Sequence, residues 1–163
     1  MHTQWVSAGK FSNMPSEPTE LIEFLAPYPP EVQDLALDGR QYLFDLLSPV
    51  TELHYDATSA VCAGFCYSDK PSDNFVNLAV YSDHVTLIFA WGARLNDPEG
   101  RLKGEGNQVR NIRLKGMETL RDPYVLGLIE QASNNATQRS ETFEPKRIVK
   151  VYQGAKRRPK PVG

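Results

Sequence analysis

Between positions 92 and 115, six cationic side chains, Arg94, Arg101, Lys103, Arg110, Arg113 and Lys115, are interleaved with Gly92, Gly100, Gly104 and Gly106. Glycine lets backbone amides come close to a bound molecule, and arginine presents a planar fork of donors suited to carboxylate or phosphate. Such a segment can hold an anion, with Arg94, Arg101, Lys103, Gly104, Gly106 and Arg110 as its candidate ligand-binding residues. The same residues admit a purely structural reading, in which the glycines serve loop geometry and the cations pair with Asp97, Glu99 and Glu105.

Other chemistries find less in the chain. Nucleophilic and acid/base catalysis need a base within hydrogen-bond reach of a nucleophile. The three histidines are His2, His54 and His84, and the two cysteines are Cys62 and Cys66. None of these stands in a CxxC or HExxH spacing, so ordinary packed cysteines and a sheet-surface histidine are expected rather than a metal site. Four residues apart on one strand, the cysteines would lie roughly 13 Å from each other, too far for a disulfide. The acids Asp56, Asp69, Asp73, Asp83, Asp97 and Glu99 sit mostly in turns and serve turn chemistry first. Gly104-Glu105-Gly106-Asn107 fits neither a Walker loop nor a dinucleotide fingerprint. No catalytic residue and no resident cofactor is expected, and the chain reads as a non-enzyme.

The elements that must carry the cationic segment follow from periodicity. The 163 residues, 40% of them hydrophobic, suffice for one core. Residues 1–18 read as a flexible lead-in, 19–143 as the folded body and 144–163 as a basic C-terminal extension, disordered from Gly154 onward. A short helix begins near Thr19 and stops before Pro27. A longer one starts at Pro30, with Val32, Leu35, Ala36, Gly39, Leu43, Leu46 and Leu47 inward and Glu31, Asp34, Asp38 and Arg40 mostly outward. Strands follow at 52–56, 60–67, 75–81 and 84–91. The last two form a hairpin whose apolar row is Val76, Leu78, Val80, Val85, Leu87, Phe89 and Trp91. Val61, Ala63, Phe65 and Tyr67 join that row, leaving Cys62, Gly64 and Cys66 on a shallowly covered face. After the long loop come a strand at 109–114, a helix opened by Asp122-Pro123, and strand-like alternation at 147–152. The fold class is α+β, an antiparallel sheet of about five strands with helices mainly on one face.

The net charge of −2 conceals a division. Residues 144–163 hold Lys146, Arg147, Lys150, Lys156, Arg157, Arg158 and Lys160 against the single acid Glu144, so the body before them is acidic. The stretch 146–160 can therefore be a nucleic-acid arm or can dock on its own body. No stretch approaches the roughly 20 apolar residues of a membrane span, and a cytoplasmic protein is expected.

Several motifs taken together resemble the YdhG-like domain family, catalogued as of unknown function. They are Tyr55-Asp56 leading into the strand that ends at Tyr67, Val80-Tyr81-Ser82-Asp83-His84-Val85 at the hairpin, and Trp91-Gly92-Ala93 followed by Leu95, Asp97-Pro98, Leu102, Gly104, Gly106 and Arg110. The resemblance covers about residues 19–135 and implies helices packed on an antiparallel sheet. Relatives often carry a lysine after the second loop glycine, where this chain has Asn107. Some relatives are described as frataxin-like iron chaperones, which implies iron held by exposed acids; here the helices offer Glu20, Glu23, Glu31, Asp34 and Asp38. A binding domain for an acidic small ligand or protein partner, an iron chaperone and a nucleic-acid-associated protein are the three functions carried forward.

Overall fold

A computed structural model describes residues 2–7 and 17–154, the first of these ranges as backbone. Its helices are α1 (Thr19–Leu25), α2 (Pro30–Leu47), α3 (Met117–Arg121) and α4 (Pro123–Asn135). Its strands are β1 (His2–Ser7), β2 (Thr51–Asp56), β3 (Val61–Cys66), β4 (Val76–Val80), β5 (Val85–Phe89), β6 (Arg110–Arg113) and β7 (Lys146–Val151). They form one sheet in the order β1-β7-β2-β3-β4-β5-β6.

The α+β class expected from the sequence is the one observed, with seven strands rather than about five. The additional strands come from the two ends of the chain. Residues 2–7 of the lead-in pair antiparallel with β7, and β7 runs parallel to β2, so the sheet is mixed. The basic segment 144–163 thus contributes an interior strand, and Arg147 within it is buried; its positions from 155 onward lie outside the described residues. Among the described residues no helix is long and apolar enough to cross a membrane.

Proline and capping chemistry places the helices. Pro30 occupies the first turn of α2, where its missing N–H costs nothing, and the Asp122 side chain accepts from Tyr124 N at 2.9 Å ahead of Pro123 in α4. The helices cover the sheet face that carries Val61, Ala63, Phe65, Val76, Leu78, Val80, Val85, Leu87 and Phe89, all buried. The β4–β5 hairpin closes at Tyr81 N to His84 O, 2.8 Å. Trp91 departs from its expected core place: β5 ends at Phe89, the chain turns, and the indole is 42% exposed.

Arg40 and His54 depart in the opposite direction. Both were expected at the surface, and both are buried. The Glu52 carboxylate, on the helix-facing side of β2, accepts from Arg40 Nε at 2.7 Å and Arg40 Nη2 at 2.6 Å, and lies 3.0 Å from His54 Nε2. Arg147 Nη2 adds a longer contact at 3.6 Å. Burial alone would raise the Glu52 carboxyl, but its bonds to His54 and Arg40 outweigh that and hold it at about 2. Burial pushes His54 down, against the pull of Glu52, so the ring is neutral at neutral pH and donates through Nε2. Its Nδ1 has no hydrogen-bond partner among the described residues.

Candidate functional site

The segment from Gly92 to Lys115 is held by its own polar groups. Asp97 carries most of the load. Its carboxylate accepts from the backbone N–H of Arg101 at 3.0 Å and of Leu102 at 2.9 Å, and from the Tyr124 hydroxyl of α4. Slight burial opposes ionisation of Asp97, but those donors prevail and hold its carboxyl below the ordinary value. This is the turn chemistry expected of Asp97-Pro98. Tyr124 Oη in turn accepts from Glu99 N at 3.0 Å, fastening the loop to α4. Lys103 and Asn111 exchange backbone hydrogen bonds of 2.8 and 2.9 Å, laying the loop along the outer edge of β6.

Gly92 is required by close approach. A Cβ there would sit 2.4 Å from Arg110 Cβ and 2.9 Å from Arg110 N. Gly104 is required by conformation, with φ at +125°. Gly92→Ala is expected to destabilise the protein by about 1–3 kcal/mol through overpacking. Urea unfolding measures this, and an unchanged midpoint would show that the loop gives way freely.

The predicted cations part company. Arg110 turns its guanidinium onto its own loop: Nη1 donates to Val109 O at 2.8 Å and Glu105 O at 3.3 Å, and Nη2 to Gly106 O at 2.9 Å. Arg94 stacks over the Trp91 ring, 4.0 Å from its centroid, and faces a different hollow. Arg101 and Lys103 do converge. With Arg113 and Lys115 they line an open groove of about 590 Å³ beside β6, whose walls also include Gly100, Ile112, Glu118, Thr119, Asp122 and Val125. Arg101 is partly committed there, to Asp122 at 2.8 Å and Glu99 at 2.9 Å, and its guanidinium rests over the Tyr124 ring. Lys103, Arg113 and Lys115 make no ion pair with any described residue.

The groove lies at the β6 edge of the sheet: Ile112 stands in register with Leu87 on the helix side, whereas Arg113 pairs with Thr86 and Lys103 bridges Asn111 on the other face. Cys62 and Gly64 are not among its lining residues. The contribution of Glu118 and Thr119 was not foreseen, because α3 is five residues long and carries no periodic signal. Asp122-Pro123 was the one sequence mark that located that wall.

The cysteines stand apart from any base in reach. His54 is in register with Ala63 on the helix side, while Cys62 pairs with Tyr55 on the other. Burial pushes the Cys62 thiol up to about 11 and raises Cys66 as well, so both stay protonated at neutral pH. Among the described residues no group of three or more His, Cys, Asp or Glu side chains is placed to hold a metal ion. No protein-family model, no curated protein and no solved structure matches this chain.

Proposed function

We propose that the chain is a YdhG-like, non-catalytic binding domain whose groove beside β6 receives an acidic small ligand or an acidic segment of a partner. The observation that carries this reading is the convergence of Arg101, Lys103, Arg113 and Lys115 on one open groove, with the last three free of ion pairs among the described residues. Lys103, Lys115 and Arg113, the last also drawn to the Asp83 carboxylate, attract an anion and steer its approach in a body whose overall balance is acidic. Ile112 and Val125 give the groove an apolar base on which the non-charged part of a ligand can rest. Arg110 belongs to the frame of the loop and Arg94 to another hollow, so neither is a ligand contact of this groove.

The test is calorimetric titration with inorganic phosphate, pyrophosphate, citrate and a nucleoside triphosphate, comparing wild type with a Lys103→Gln/Lys115→Gln double variant. Each charge-assisted hydrogen bond contributes about 1.5–3 kcal/mol, so the double variant should lose at least about tenfold in affinity. Binding should also weaken as salt rises. Flat responses from the wild type to all four anions, or equal affinity in the double variant, would overturn the reading. Arg110→Ala is unsuitable as a probe, because it releases the carbonyl groups that close residues 105–110.

A further inference from the structure

We propose that the hollow between the end of β5 and the last turn of α4 is a second binding site, built for a small ligand that joins one apolar group to a carboxylate. Its walls are Phe75, Phe89, Leu95, Ala132 and Ala136, and its rim carries Trp91, Arg94 and Asn135. Phe75, Phe89 and Ala132 are buried and fixed by the core beneath them. The hollow offers about 40 Å³ to the centres of water-sized guests and opens to solvent beyond that. That is room for about three water-sized groups, enough for a short chain or the edge of one ring.

Charge decides the other half of the ligand. Arg94 is the single charged residue of the lining, and it forms no ion pair with any described residue. Stacking over Trp91 holds the guanidinium plane while leaving its edge, where the N–H donors lie, open to a planar anion. The turn that presents it is already set. Ala93 N bonds Gln108 O at 2.9 Å, Arg94 N bonds Trp91 O at 3.0 Å and Leu95 N bonds Gly92 O at 3.1 Å. Asn96 exchanges two hydrogen bonds with Gln131 of α4, at 2.7 and 3.0 Å. Binding therefore needs little ordering of the protein.

The C-terminal carbonyl groups of α4 would ordinarily oppose an anion nearby. Here the Gln138 amide donates to the carbonyls of Ser133, Asn134 and Ala136, at 2.9, 3.4 and 2.8 Å, so that end of the helix is already answered. The site shares no lining residue with the groove beside β6 and does not depend on it. It also accounts for Trp91, which leaves the core row of its strand to stand at a binding rim.

The chain has two tryptophans, Trp5 and Trp91, so a Trp5→Phe variant makes emission a reporter on this hollow alone. The probes are 3-phenylpropionate and the isosteric alcohol 3-phenylpropanol. A saturable emission change is expected with the acid, with affinity at least about tenfold above that of the alcohol. Arg94→Gln should remove that preference and leave the alcohol unaffected, with saturation-transfer NMR on the ligands as a readout independent of the indole. Equal affinity for acid and alcohol in the wild type, no saturable response to the acid at about 10 mM, a Kd range already weaker than about 3 kcal/mol of binding, or unchanged acid binding in Arg94→Gln would each overturn the assignment.

Discussion

Replacing Glu52 by glutamine is expected to destabilise the protein by about 3–5 kcal/mol, the cost of breaking a buried ion pair by removing one partner. Glutamine keeps the size of the side chain, so no cavity contributes. What it loses is the charge that answers Arg40, which is 2% exposed, and a second oxygen able to accept from that guanidinium. One end of the new side chain would be an amide NH2, a donor pointed at the donors of Arg40 or His54. β2 lies between β7 and β3, beneath α1, so water has no ready path to replace the lost bonds. For a chain of this length the loss corresponds to roughly 6–20 °C in melting temperature. Urea unfolding should show a lower midpoint at an unchanged slope. Glu118→Gln, at an exposed position, serves as the control and should change stability by no more than about 0.5 kcal/mol. A loss at Glu52 below about 1 kcal/mol would mean that the cluster is open to water.

This cluster also marks the limit of what could be read along the chain. Strands β3 to β5 were legible because their apolar residues alternate and one face is uniformly large. β2 alternates too, but Glu52, His54 and Asp56 form its helix-facing row while Leu53 and Tyr55 point the other way. Hydrophobicity alone therefore assigns its faces in reverse. Arg40 follows the same logic, since its partner is 12 positions away on another element. A charged residue on a helix is normally solvated. β7 was legible as a strand, but its parallel pairing with β2 joins segments about ninety residues apart, and no local signal encodes that.

The candidate site divides similarly. That residues 92–115 gather cations and glycines is plain from the sequence; where each guanidinium points is not. Arg110 and Arg101 are chemically identical, yet one is consumed by carbonyl groups of its own loop and the other stands at a groove. The difference arises from the left-handed glycines at 104 and 106, which bring those carbonyls around Arg110. Trp91 shows a related effect. It continues the alternation of β5, but Gly92 has to pass against Arg110, and the chain leaves the sheet one turn before the pattern ends.

This cluster is expected to weaken the fold in two steps on acidification. His54 is depressed below 6.5 in the folded protein, whereas the unfolded chain titrates normally. As pH falls below about 6.5 the unfolded state takes up a proton that the folded ring refuses, so stability declines until the folded value is reached. Glu52 is depressed from 4.5 to about 2, so its contribution is complete above about pH 4.5 and is lost as pH falls from there toward 2. Arg40 and Arg147 face the same pair, so protonating His54 adds a third cation around one carboxylate. His54→Gln keeps a donor near the position of Nε2 and removes the titration. Denaturant midpoints between pH 8 and pH 4 should therefore slope downward below about 6.5 in the wild type and run nearly level to about 4.5 in the variant. Identical profiles for the two proteins would place the acid sensitivity elsewhere in the molecule.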